Sequence, residues 1–261
     1  MDLINKRAIV CGSTQGIGRS TAQKLAQMGA SVILVSRNEE KLSKVLTDLP
    51  VVDKGQKHEI LIADFNKPSS LKDVLDEFMG GGQIVHILVN NTGGPPGGPI
   101  KEANIQEFIN AFNQHLICNH ILVQAVYPGM IDANYGRIIN VISTSVKQPI
   151  EGLGVSNTIR GAVANWSKTL ASELGPFGIT VNNVLPGFTN TNRLTSIIKR
   201  KANEQSKSID DVSKAMQSSV PARRFGESHE VANAVAFLSS VGASYINGIN
   251  LPVDGGRTAS L

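Results

Sequence analysis

Arg7-Ala8-Ile9-Val10-Cys11-Gly12-Ser13-Thr14-Gln15-Gly16-Ile17-Gly18 reads as a buried strand, a glycine loop and the first turn of a helix. The helical pattern continues with Leu25 and Met28 on one side. Strand, glycine loop and helix together present bare backbone N–H groups and a helix N-terminus to an anion, so the stretch is a candidate phosphate site. Glycine belongs there because a Cβ would hold the backbone away from a pyrophosphate. The spacing is G-x-x-x-G-x-G, not the common G-x-G-x-x-G. A tight strand-to-helix turn also needs glycines; the position near the N-terminus, between strand and helix, is what favours a nucleotide site.

With 261 residues the chain suits one α/β domain, 1–261, and can bury roughly 70–75% of its unfolded surface. Its two cysteines, Cys11 and Cys118, stand in apolar segments without metal-ligand spacing, so they read as reduced buried thiols and no metal is expected. No apolar run reaches membrane-spanning length, and residues 1–6 are too short and polar for a signal peptide, which points to a cytoplasmic protein. A net charge of +4 and a pI near 9.1 suit an anionic ligand but are too mild to argue for nucleic acid.

Further along, Gly29 closes the first helix and Ser31–Val35 is a second strand. Arg37 follows at that strand's carboxyl end, where such folds read the adenosine ribose. An acidic residue there selects a 2′-hydroxyl and an arginine accommodates a 2′-phosphate, so the expected cofactor is NADP(H). Glu59–Ala63 is a third strand ending at Asp64, and His86–Val89 a fourth, running into a glycine/proline loop from Asn90 to Pro99. Asn104 and Glu107 form a capping pair that starts a long helix reaching about Tyr127. Arg137–Ile142 is a fifth strand ending at Ser143. Val155–Leu174 is a helix with Ile159, Val163, Trp166, Leu170 and Leu174 on its apolar face. Thr180–Leu185 and Ile249–Val253 complete seven strands. Alternation at this rhythm predicts a doubly wound parallel sheet with helices on both faces, a Rossmann fold. Residues 193–224 read as an irregular basic insertion carrying Lys199-Arg200-Lys201. At this edge of the sheet they form a candidate substrate lid, their charge equally compatible with a solvated helix face and with anion binding.

Gly12-Ser13-Thr14-Gln15-Gly16-Ile17-Gly18, Asp64, Asn90-Asn91-Thr92-Gly93, Ser143, Pro186-Gly187-Phe188-Thr189-Asn190-Thr191, and Asn247-Gly248 through Asp254-Gly255-Gly256 occur in an order that resembles the short-chain dehydrogenases/reductases. The likeness runs nearly the whole length and is nearest to the bacterial 3-oxoacyl-acyl-carrier-protein reductase type. It implies that Thr14, Gln15, Gly16 and Ile17 hold a pyrophosphate, that Asp64 faces the adenine and that Asn90 lies on the adenosine side. It further implies cofactor contacts at Thr92 and Gly93, and a nicotinamide carboxamide held by the segment containing Pro186, Gly187, Thr189 and Thr191. Hydride transfer between nicotinamide and a carbonyl or alcohol carbon, and a homotetramer built on two long helices and the last strand, belong to the same expectation.

The chain departs from that family at its catalytic positions. Where the family has an asparagine, a serine, a tyrosine and a lysine, counting from Ser143 and from Tyr127-Pro128 places His115, Ser143, Ser156 and Arg160. A serine ionises far less readily than a phenol, so the usual acid is missing. Arg160 stays charged, can bind ribose hydroxyls and can stabilise negative charge on a substrate oxygen. His115 is the candidate proton carrier, with an expected fall in activity through about pH 6–7, and Glu151 is the next candidate. Tyr127, Tyr135 and Tyr245 stand away from the site by element order. The expectation is an NADP(H)-dependent reductase of a small carbonyl compound, 3-oxoacyl-thioester-like by resemblance. The alternative is a nucleotide-holding relative without turnover.

Overall fold

The computed structural model of the protein describes residues 2–260. Its strands are β1 (Arg7–Cys11), β2 (Ser31–Ser36), β3 (Glu59–Ile62), β4 (Ile87–Asn90), β5 (Gly136–Val141), β6 (Ile179–Pro186) and β7 (Asn250–Val253). Among the described residues they make one sheet in the order β3-β2-β1-β4-β5-β6-β7, every pairing parallel. The strand order reverses between β1 and β4, and at such a switch point the loops leaving the carboxyl ends diverge and open a crevice.

The helices are α1 (Gly16–Gln27), α2 (Glu39–Thr47), α3 (Pro68–Met79), α4 (Ile105–Phe112), α5 (Cys118–Asp132), α6 (Gly154–Leu174), α7 (Asn192–Gln205), α8 (Ile209–Ser218) and α9 (Ser228–Ser239). One face of the sheet is covered by α1, α2 and α9 through Leu25, Leu42 and Val235. The other is covered by α3, α5 and α6 through Leu71, Leu122 and Leu174. Burial on both faces explains the nearly unbroken apolar strands, and every residue of β5 is buried. Gly29, at φ 94°, follows the end of α1, and Asn104 with Glu107 forms the expected capping box on α4.

Two expectations change. The long helix after Asn104 is not continuous: a π-helical turn, Asn113–Ile117, separates α4 from α5, and α5 runs through Pro128 to Asp132 instead of stopping near Tyr127. No glycine or proline marks the π turn in the sequence, so periodicity alone does not show it. Residues 193–224 are not irregular either. Most of them lie in α7 and α8, which pack on each other through Leu194, Ile198, Val212 and Met216. In the sequence, the charged run at 199–201 masks the i, i+4, i+8 stripe of Leu194, Ile198 and Ala202.

A polar row, buried on β4, β5 and β6 and half-buried on β7, crosses four strands of the sheet. Asn90, Asn140, Asn183 and Asn250 are register partners on β4, β5, β6 and β7. Their amides bond in series: Asn90 Nδ2 donates to Asn140 Oδ1 at 2.8 Å, Asn140 Nδ2 to Asn183 Oδ1 at 3.1 Å, and Asn183 Nδ2 to Asn250 Oδ1 at 2.9 Å. Cys11 and Cys118 are free and buried, and burial raises both thiols, Cys118 to about 12.

Candidate active site

A cavity of about 980 Å³ opens at the carboxyl edge of the sheet. Every site residue expected from sequence lines it except Gly18, Asn90 and His115, and Glu151 lines it as well. One end is made by the β1–α1 loop. Gly12 has φ 61°, and a Cβ there would lie 2.7 Å from the Asn91 carbonyl oxygen. At Gly18 a Cβ would collide with the Gly12 carbonyl oxygen, so this glycine packs the helix against the loop from beneath and does not itself line the cavity. The N-cap residue Gln15 makes no side-chain capping bond, and the first turn of α1 holds no acidic residue. The free N–H groups of that turn are left for an anion.

Arg37 lines the same end beside Asp64. Burial works against the Asp64 charge, but hydrogen bonds from Asn66 N at 3.0 Å and Asn66 Nδ2 at 2.7 Å, with the charges of Arg37 and Lys67, hold its carboxyl below the usual range. Asn90 corrects an expectation. As the last residue of β4 its side chain enters the asparagine row, and the neighbouring Asn91 is the one at the cavity, its Nδ2 donating to the Cys11 carbonyl at 3.1 Å. Alternation along the extended chain sends successive side chains to opposite sides, so two adjacent asparagines cannot share one role.

The other end is built of side chains. Ser143 follows β5 and caps a short 3₁₀ turn, its Oγ accepting from Ser145 N at 3.1 Å. Ser156 and Arg160 stand one turn apart in the first half of α6, and both are buried. Arg160 Nη1 donates to the Val141 carbonyl at 3.2 Å, and its Nε has no partner. Burial, then the charge of Arg193, lowers its guanidinium to about 10, still a cation at neutral pH.

His115, the candidate proton carrier, does not line the cavity. It lies in the π turn, is 1% exposed, and neither ring nitrogen has a partner. Burial, with Arg160 and Arg193 nearby, holds its pKa well below the ordinary histidine range, so the ring is neutral at pH 7. The tyrosines stand off as expected: Tyr135 donates its hydroxyl to the Ser239 carbonyl at 2.6 Å, Tyr245 is fully exposed, and Tyr127 does not line the cavity. Arg193 and Arg200 also line the wall, which the sequence does not single out within the basic segment 193–224.

Residues 12–258 match the family model described as enoyl-(acyl carrier protein) reductase. The chain is 32% identical to the 3-oxoacyl-[acyl-carrier-protein] reductase FabG of Haemophilus influenzae over 251 residues, 96% of this chain and 97% of that one. It is 28% identical to the NADPH-dependent reductase BacG of Bacillus subtilis over 256 residues, 98% and 99% of the two chains. Among solved structures, the L-sorbose reductase of Gluconobacter frateurii complexed with NADPH and L-sorbose superposes with a TM-score of 0.91 at 27% identity, covering 100% of this chain and 99% of that one. Taken with the glycine loop, the parallel sheet and its strand order, these matches over nearly the full length place the chain in the short-chain dehydrogenase/reductase family.

Proposed function

We propose that the protein is an NADP(H)-dependent reductase of a small carbonyl compound. The observation that carries this reading is one cavity with an uncapped, acid-free helix N-terminus at one end and a buried, unneutralised arginine beside two serines at the other. The residues fit the cofactor: the β1–α1 loop offers a cradle that a Cβ would fill, and Arg37 offers a guanidinium where a 2′-phosphate would lie. In this reading Thr14 to Ile17 hold the pyrophosphate, Asp64 and Asn91 flank the adenosine half, and the segment from Pro186 to Thr191 with Thr92 and Gly93 holds the nicotinamide half.

Bound there, NADPH supplies a hydride to the carbonyl carbon, so that with a proton on oxygen the products are an alcohol and NADP⁺. Arg160 stabilises the negative charge that develops on the substrate oxygen. Ser143 and Ser156 donate hydrogen bonds to that oxygen and connect it to water in the cleft. His115, neutral, is the proton carrier of this reading, and a bridging water would have to link its unpartnered ring nitrogens to Ser143 or Ser156. Rate is then flat across pH 6–7 instead of falling. The helices α7 and α8 serve as the substrate lid. Assembly is as a homotetramer, which the exposed Ile105, Ile109 and Phe112 on one side of α4 support.

The second reading, a nucleotide-holding protein without turnover, is favoured by the lack of any tyrosine on the cavity wall among the described residues. Fluorescence titration with NADPH and NADH, with hydride transfer over a carbonyl panel, separates the two. NADPH should bind tighter than NADH by about 10- to 100-fold, with Arg37→Ala removing most of the difference. Equal affinities in the wild type exclude the 2′-phosphate role. Tight NADPH binding with no turnover on any carbonyl favours the second reading.

A further inference from the structure

The loop 93–99 and helix α7 meet at the mouth of the cavity through two arginines. Arg193 Nη2 donates to the Pro95 carbonyl at 2.6 Å, and its guanidinium lies over Gly94, where a Cβ would stand 3.6 Å from Nη2. Arg200, two turns along α7, lies against Gly97 so closely that a Cβ there would collide with its Nη1. On its other side Arg200 Nη2 reaches to 4.0 Å from the Cβ position of Gly152, in the segment between Ser143 and Ser156. Gly97 therefore leaves room for the Arg200 guanidinium, whereas Gly94 lies in ordinary contact with that of Arg193.

Positive charge at this end is poorly matched. Asp64 and Glu151 are the only carboxylates among the described wall residues; Asp64 belongs to the adenosine end, and Glu151 is exposed. Arg200 Nε has Glu204 at 3.5 Å, whereas neither Arg160 nor Arg193 has a carboxylate within ion-pair distance among the described residues. Arg160 is 7% exposed, with Nε unpartnered, and Arg193 is crowded by the like charge of Arg200. Arg160 and Arg193 have no counter-charge and Arg200 has only the exposed Glu204, so an incoming anion stabilises this group of cations, and a planar guanidinium matches a carboxylate or phosphate. The two arginines face the loop 93–99 and Gly152, whereas the anion site suited to a pyrophosphate is at the N-terminus of α1.

We infer that the carbonyl substrate carries a compact anionic head, carboxylate or phosphate, seated between Arg193 and Arg200 with its carbonyl directed inward to Arg160. This rests on the reductase reading and narrows it from carbonyl compounds in general to oxo acids or phosphorylated ketones.

The test follows NADPH oxidation by wild type, Arg193→Gln and Arg200→Gln. The substrates are pyruvate, 2-oxobutyrate, acetoacetate and levulinate against their methyl esters, and dihydroxyacetone phosphate against dihydroxyacetone. The same compounds are titrated calorimetrically into the NADP⁺-saturated protein. The best charged member should exceed its neutral counterpart by about 10- to 100-fold in kcat/KM or affinity, and either variant should cut that ratio to about threefold or less. Preference for the acids identifies a carboxylate head, and preference for the phosphorylated ketone identifies a phosphate head. Neutral and charged members treated alike, or no binding of any charged member, overturns the inference. So do variants that weaken NADPH binding while keeping the charge preference, because the arginines would then serve the cofactor. NADPH failing to bind the wild type, read separately by fluorescence, counts instead against the reductase reading.

Discussion

The β1–α1 loop and the corner between Ser143 and Arg160 share one cavity, yet the first works with backbone and the second with side chains. In the loop, glycines at 12 and 18 are required by contacts with the Asn91 and Gly12 carbonyl oxygens, so sterics admit almost no other residue. In the corner, Arg160 Nε and both ring nitrogens of His115 are buried without partners. A backbone-built anion site is preorganised and changes little, whereas a side-chain site can exchange its chemistry while the fold stands.

The sharpest way to break this contrast is a single methyl group in the loop. Gly18→Ala drives a Cβ into the Gly12 carbonyl and should weaken NADPH binding by more than about 100-fold and lower Tm. Gly161→Ala, on α6 away from the cavity wall, where a Cβ meets nothing within 4 Å, should leave both near wild type. Fluorescence titration and thermal melts on the two variants read the difference. Near-normal binding in Gly18→Ala would show that the loop tolerates what its geometry forbids.

At the other end, Arg160→Leu should separate stability from chemistry. Removing a buried cation that has no carboxylate partner should hold or raise Tm, while kcat/KM for whichever carbonyl is turned over falls by about 10²–10³-fold. A large drop in Tm would mean that Arg160 is structural and that its bond to the Val141 carbonyl matters more than its charge.

The smallest expected effect is on acid stability. The folded protein holds His115 well below its ordinary pKa, chiefly by burial, and His86 at about 4, by burial and then the charges of Lys6 and Arg7. Below about pH 6.5 the unfolded chain binds protons that the folded chain refuses, so stability falls as pH drops, and above that value neither group contributes a slope. For His86 the loss runs from about pH 6.5 down to about 4. His115→Leu should remove its own share, at most about 1.4 kcal/mol per pH unit, and leave the melt at pH 7.5 to reflect packing alone. An unchanged difference between melts at pH 5 and 7.5 would place a charged ring at 115.

How far each region could be read from sequence follows the same division. The strand–glycine–helix stretch, the capping pair at Asn104 and Glu107 and the apolar strands were legible because local sterics and periodicity dictate them. Arg37 and Ser143 were legible as residues at strand ends, where this architecture gathers function. The π turn holding His115 was not, since no local signal distinguishes it from ordinary helix. Neither was the neutrality of that ring, which depends on burial and on Arg160 and Arg193, distant in sequence. Arg193 and Arg200 of α7 were not legible as cavity-wall residues, because only the fold shows which basic residues of this segment face the cavity and which face solvent.

The asparagine row through β4, β5, β6 and β7 has a consequence for how the sheet assembles. Apolar strands buried on both faces are nearly interchangeable under a one-residue slide, since valine and isoleucine fit either side. An amide is not: shifting β5 by one residue would turn Asn140 to the opposite face and take its bonds away from the buried amides of Asn90 and Asn183. The row therefore acts as a key cut across four strands. It rejects misaligned pairings during folding, so the loops that make the cavity emerge from strands that are already in the correct phase.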